Sequence, residues 1–261
     1  MDPLFAHLSR TYRQLRLIAG CTLIAAPLLI LAVSYMRELR IEPTLSHYYF
    51  VEPTPGLVRT LFTGFLIFVG GILVAYRGFD NRDNWIHNAA GIFAVFVALF
   101  PKRCDPMGEP YCTPGLLSSL HLPSAILVFA FAAWAVVYCG GPKLRGKLLG
   151  EEILTLRRAR KASLITMTAG VVLYVARPLL SRSIQNFKIT ILIVELLGFF
   201  GFAAHWLIMT WVIDKANRRI RQQRVSKSRE RALAEGSDSK LRQSAQPSVI
   251  DADGADRLEI P

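Results

Sequence analysis

Long apolar runs separated by short polar stretches set the pattern of this chain. Six such runs fall near residues 17–36, 57–77, 85–101, 121–140, 162–180 and 189–213. A helix crosses a bilayer with roughly 20 mostly apolar residues, so each run predicts one membrane-spanning helix, the third being short. Residues 1–16 carry Arg10, Arg13 and Arg16, and no small-residue cleavage site follows the first run. That run therefore reads as a retained anchor, not as a removed signal peptide. Between the fourth and fifth runs, residues 143–161 mix Leu144, Leu148, Leu149, Ile153, Leu154 and Leu156 with clustered basic residues. This pattern predicts an interfacial amphipathic helix on the inner leaflet. Past residue 213 the chain is basic and helix-permissive, and beyond Gly236 it is rich in Ser, Asp, Gln and Ala, which predicts disorder. The expected fold is all-α: a six-transmembrane-helix bundle over 17–213, a cytoplasmic N-terminus over 1–16 and a cytoplasmic tail over 214–261.

Composition sharpens this picture. Hydrophobic residues make up 52% of the 261 residues and charged ones 19%, which argues against a soluble domain of this length. The formal charge of +12 invites a nucleic-acid partner, but its distribution argues for topology instead. Residues 1–16, the 77–84 turn, the 141–161 loop and the tail from 214 hold about 23 of the 31 Lys and Arg residues. Basic residues concentrated on alternate loops mark the cytoplasmic side, so both termini are expected inside. The expected partners are membrane lipids, with anionic headgroups attracting these loops by about 1 kcal/mol per residue near the surface. No nucleic-acid partner is expected, and a homo-oligomer is compatible with the sequence. The outer loop between helices 3 and 4 holds Cys104 and Cys112 around Pro106, Gly108 and Pro110. In an oxidising compartment that pair is expected to form a disulfide, with two free thiols as the alternative. Cys21 and Cys139 read as packing residues, and Gly64, Gly70, Gly71, Ala90, Ala94, Ala98, Gly198 and Gly201 as points of close helix approach.

Ionisable groups inside a bilayer are costly and need partners. Glu195 sits about seven residues inside the sixth run, roughly 10 Å deep at 1.5 Å per residue. Arg177 and Arg59 are its candidate counter-ions. Ser46, His47, Tyr48 and Tyr49 before helix 2, with His121 opening helix 4, gather at the same outer side. They read either as interfacial residues with a buried ion pair that fixes helix order, or as the lining of a polar pocket. On the inner side Asp80, Asp83, Asn84 and His87 share one helical face at i, i+3, i+4 and i+7. That face reads as a capped helix start or, with His205 at comparable depth, as a metal site of Asp83, His87 and His205.

One set of residues resembles a known group. It comprises Leu45-Ser46-His47-Tyr48-Tyr49, Arg59, Phe62, Gly64, Tyr76-Arg77-Gly78, Asn88-Ala-Ala-Gly91, Ala98-Leu-Phe-Pro101 and Leu120-His121. It resembles uncharacterised bacterial multi-pass membrane proteins with a serine and paired tyrosines before helix 2, although Phe50 stands where that group has a histidine. More distantly it is similar to the six-helix DRAM-type and FGF-receptor-activating-protein families. The likeness spans about residues 40–135. It implies a bacterial inner (plasma) membrane location and no established activity. A further likeness, to the alkaline ceramidase and hemolysin III superfamily, implies a lipid hydrolase with zinc held by Ser46, His121 and an acidic partner. A b-type haem protein would instead use His87 facing His205 and His47 facing His121. The favoured expectation is non-catalytic and without a cofactor: an outward-facing pocket for a lipid headgroup or small polar ligand. Arg59, His121, Arg177 and Glu195 would be its charged lining, with Ser46, Tyr48 and Tyr49 as its rim. Zinc and haem b are the cofactors of the two alternatives.

Overall fold

A computed structural model describes residues 3–53, 56–102, 117–138, 148–176 and 190–244. Cys104, Cys112, Cys139 and Arg177 lie outside the described residues, so the expected disulfide and the Arg177 counter-ion do too. The described residues form six α-helices, two 3₁₀ turns and no strand. In chain order these are α1 Pro3–Met36, a 3₁₀ turn Leu45–Phe50, α2 Leu57–Ala75, α3 Asn81–Leu99, a 3₁₀ turn Ser118–Leu120, α4 His121–Tyr138, α5 Gly150–Ala176 and α6 Thr190–Ser244.

Four segments are long and apolar enough to cross a membrane: Thr11–Met36, Leu57–Ala75, Ser118–Tyr138 and Ile191–Leu233. The other two helices fall short because their first turns are polar. The first two turns of α3 hold Arg82, Asp83 and His87, and the first half of α5 holds Arg157, Arg158, Arg160 and Lys161. Residues 150–161, expected in a separate interfacial helix, form the first turns of α5 without a break. Continuous i→i−4 bonding keeps the basic and apolar segments in one rod. The α6 helix likewise passes Gly236 and ends at Ser244, where disorder was expected. Lys, Arg, Glu, Gln and Ala dominate the 217–235 stretch and favour helix strongly enough to carry one glycine. One compact unit comprises residues 1–216, and residues 217–261 form a second.

Within the first unit, helices meet where side chains are absent. A Cβ on Gly91 would stand 2.5 Å from the Gly70 carbonyl oxygen, and one on Gly70 would stand 2.7 Å from the Gly91 carbonyl. Small residues let backbones touch where lipid supplies no hydrophobic drive. Ala90, Ala94 and Ala98 are buried on the same helix as Gly91. Gly64 and Gly71 instead face open space, and Cys21 is exposed on α1 where a packing role was expected. The bundle-facing stripe of α6 runs Leu192, Glu195, Phe199, Phe202, Trp206 and Met209, spaced three and four residues apart. That spacing keeps one side of a 3.6-residue helix turned to its neighbours. Its members Leu192, Phe202, Trp206 and Met209 are buried.

Candidate functional site

The end of the bundle that was expected to face outward is organised by the segment joining α1 to α2. After Met36 the chain reverses at Glu38, whose φ of 56° is left-handed. The Leu39 N–H then donates to the Ser34 carbonyl at 2.9 Å, closing the helix end. Thr44 starts the 3₁₀ turn, its hydroxyl accepting from the His47 N–H at 3.2 Å. Leu45, Ser46, Tyr48, Tyr49 and Phe50 are all buried in this turn, so it is a piece of the core and not an interfacial loop. Two acids that sequence reasoning passed over support it. Glu42 is buried and paired with Arg40 at 2.5 Å. Glu52 is buried, paired with Arg37, and accepts from the Val58 N–H at 2.9 Å, which satisfies an orphan donor at the start of α2.

The described members of the expected site divide into four groups around this turn. His121 Nδ1 lies 2.7 Å from the Phe100 carbonyl and Nε2 lies 2.9 Å from the Ser46 hydroxyl. A carbonyl only accepts, so Nδ1 carries the hydrogen and Ser46 donates to Nε2. Glu195 accepts from the Leu45 N–H at 2.6 Å, and the Leu192 N–H donates to the Pro43 carbonyl at 2.8 Å. Two bonds thus tie the turn to α6. Arg59 donates to the Tyr49 hydroxyl at 2.6 Å and its guanidinium lies 4.0 Å from that ring's centroid. No ion pair joins Arg59 to Glu195, and among the described residues no cation pairs with that carboxylate. Tyr48 points inward, its hydroxyl accepting from the Glu42 N–H at 3.2 Å. Burial raises the Tyr48 pKa above its usual value, with the nearby Glu42 charge acting in the same direction.

Ser46 and Glu195 meet at a cavity of about 30 Å³, lined otherwise by apolar side chains including Phe62, Leu66, Phe129 and Phe199. Arg59 and His121 are not among its lining residues. A second cavity of about 30 Å³ lies beside it, sharing Leu66, Val128, Phe129 and Phe199 and reaching Ala90 and Phe202. Each has room for one or two waters.

The opposite half of the bundle, expected to lie inward, holds a second polar cluster. Asp80 caps α3, accepting from the Asp83 N–H at 2.9 Å, so the capped-start reading holds. Asp83 itself is buried where a solvated acid was expected; its Oδ2 accepts from the Phe79 N–H at 3.0 Å. His87 Nδ1 donates to the Asp83 carbonyl at 2.8 Å. The His87 ring sits 4.9 Å from Tyr76 and 5.3 Å from Trp206, centroid to centroid. Arg16, treated in the sequence only as a topology charge, is buried and donates to the Thr210 hydroxyl at 3.1 Å and to the Tyr76 hydroxyl at 3.5 Å. A few residues away Arg13 pairs with Asp214 at 2.5 Å, tying α1 to α6.

Among the described residues no three His, Cys, Asp or Glu side chains converge as a metal would need, so Asp83, His87 and His205 are not a metal triad. In the outer haem pair, His121 has both ring nitrogens engaged as described. His47 faces Thr44 at 2.6 Å and Lys102 at 2.6 Å, so both of its nitrogens are engaged as well. No family model matches the chain, and neither a curated protein nor a solved structure gives a match.

Proposed function

We propose that this is a non-catalytic, six-span protein of a bacterial inner membrane, with both termini cytoplasmic, that binds a cationic group at the outer end of its bundle. The ammonium of a lipid headgroup or of a small polar amine is the ligand that suits the site. One observation carries this reading. The Glu195 carboxylate stands in an apolar cavity, spends one described hydrogen bond on the Leu45 N–H, and has no cation beside it among the described residues. A carboxylate so placed is costly unless a positive group joins it. The cavity's size, about 30 Å³, suits a single ammonium and not a whole headgroup, and the Ser46 hydroxyl gives the only other polar contact in its lining. On this reading α3 and α5 also span the bilayer, with their charged first turns at the inner face.

The test is native mass spectrometry of the protein released from nanodiscs containing phosphatidylethanolamine and phosphatidylglycerol. Selective retention of phosphatidylethanolamine by the wild type, lost in Glu195→Gln, is the expected result. Equal retention of both lipids, or retention unchanged in a folded Glu195→Gln variant, overturns it.

A further inference from the structure

Four buried polar atoms at the inner end have no hydrogen-bond partner among the described residues: Asp83 Oδ1, His87 Nε2, and both ring nitrogens of His205. The three residues are at least nine-tenths buried, with His87 at 0% and His205 at 2% exposure. Buried polar atoms without partners are rare in folded proteins and mark an internal water, an ion or a functional site. Convergent metal ligands are absent among the described residues, which leaves water and protons.

The placement of these atoms is ordered along the bundle. On α3, exposed Asp80, buried Asp83 and buried His87 follow one another at i, i+3 and i+7, leading inward from the inner surface. Asp83 Oδ1 lies 4.0 Å from His87 Nδ1. His205 is within electrostatic range of both His87 and Arg160, and Trp206, its neighbour in the chain, packs on the His87 ring. Other charged or titratable groups at the cluster are Arg16 on α1, Tyr76 at the end of α2 and Arg160 on α5. Above His205, α6 carries Glu195 ten residues away, about 15 Å at 1.5 Å per residue. The two small cavities occupy that interval, one lined by Glu195 and the other by Phe202, with Phe199 lining both.

We propose that the bundle carries protons between its two faces, with Glu195 as the outer station and His205, His87 and Asp83 as the inner ones. The outer carboxylate takes a proton from external water and releases it to a water in the adjoining cavity. Waters entering the two cavities pass it past Phe199 and Phe202 to a ring nitrogen of His205. His87 and Asp83 relay it to Asp80 and the inner solution. Each group accepts one proton as it gives up another, so no oxidant or reductant takes part. The apolar walls keep the passage dry for most of the time, and entry of water gates it. This inference shares Glu195 with the cation-binding reading but does not rest on it: proton flux with no lipid selectivity would sustain one and sink the other.

The experiment is proton uptake by proteoliposomes that enclose a pH-sensitive dye, driven by a potassium diffusion potential. The wild type is expected to acidify the lumen faster than protein-free vesicles. Glu195→Gln and His205→Phe, if folded by size-exclusion and thermal criteria, are expected to return the rate to the protein-free level. If neither variant folds, Phe199→Ala decides, because removing that ring joins the cavities: a raised rate supports the path and an unchanged rate overturns it. Wild-type vesicles as tight as protein-free ones, or folded Glu195→Gln and His205→Phe variants that conduct like the wild type, also overturn it.

Discussion

Replacing Gly91 by alanine tests the close crossing of α2 and α3 directly. The added methyl would stand 2.5 Å from the Gly70 carbonyl oxygen, 2.9 Å from Val74 Cγ2 and 3.0 Å from Leu73 Cβ. Ordinary carbon–oxygen contacts begin several tenths of an ångström further out. Val74 could turn its side chain away, but the Gly70 carbonyl belongs to the helix backbone and can retreat only if the helices separate. Overpacking of this kind costs about 1–3 kcal/mol. Against that, alanine recovers roughly 0.5–1 kcal/mol of helix propensity, so a net loss of about 1–2 kcal/mol is expected. Gly64 and Gly71 on the facing helix provide the control, since a Cβ at either meets nothing within 4 Å. Gly64→Ala and Gly71→Ala should be neutral or stabilising. Equilibrium unfolding in mixed detergent micelles measures all three. The crossing argument fails if Gly91→Ala matches the wild type, or if the two control variants lose as much as it does.

Ser46→Ala leaves His121 Nε2 buried without its donor, and a loss of about 1–3 kcal/mol is expected; an unfolding midpoint unmoved by the change would count against the Ser46–His121 bond. Glu38→Gly relieves a left-handed residue that costs an L-amino acid about 1–2 kcal/mol, so the variant should be more stable in the same assay, and a destabilised one would contradict the helix-end geometry. The Arg13–Asp214 pair is partly exposed, with 48% and 19% of the two side chains accessible; a double-mutant cycle should give a coupling below about 1 kcal/mol that shrinks with added salt, and a larger, salt-insensitive value refutes this. Tyr48 has a folded pKa above the unfolded value of about 10, so the stability it contributes is full below that pH and is lost as pH rises through the folded value. Spectrophotometric titration should show it ionising after the exposed tyrosines; simultaneous ionisation would sink the claim.

The helices were legible because their signal is periodic and long. All six apolar runs coincide with helices, and the small residues Gly70, Ala90, Ala94 and Gly91 lie where close packing was expected or beside it. The ends were harder to read. Gly236 and the Ser-rich stretch after it resemble a breaker followed by coil, yet the helix formers on their N-terminal side carry α6 to Ser244. The partners that the structure gives Glu195 and Arg59 were not foreseeable. Arg59 turned to Tyr49 and not to Glu195 because the 3₁₀ turn places a phenol within its reach, and no local pattern announces a buried 3₁₀ turn. Arg16 illustrates the same limit. In sequence it is one of several basic residues flanking a span, and only the approach of Thr210, nearly two hundred positions later, makes it a core residue.

The turn between α1 and α2 has a consequence for how the protein is made. Two of its backbone groups find their partners only when α6 is in place, since the Pro43 carbonyl and the Leu45 N–H are held by Leu192 and Glu195. The first two helices leave the ribosome long before the last one does. The early hairpin therefore waits with these two backbone groups unpaired, and the last helix completes a connection made at the start of synthesis. Completion of this end of the bundle thus comes last, and a chain stopped before residue 190 would leave the Pro43 carbonyl and the Leu45 N–H without these partners.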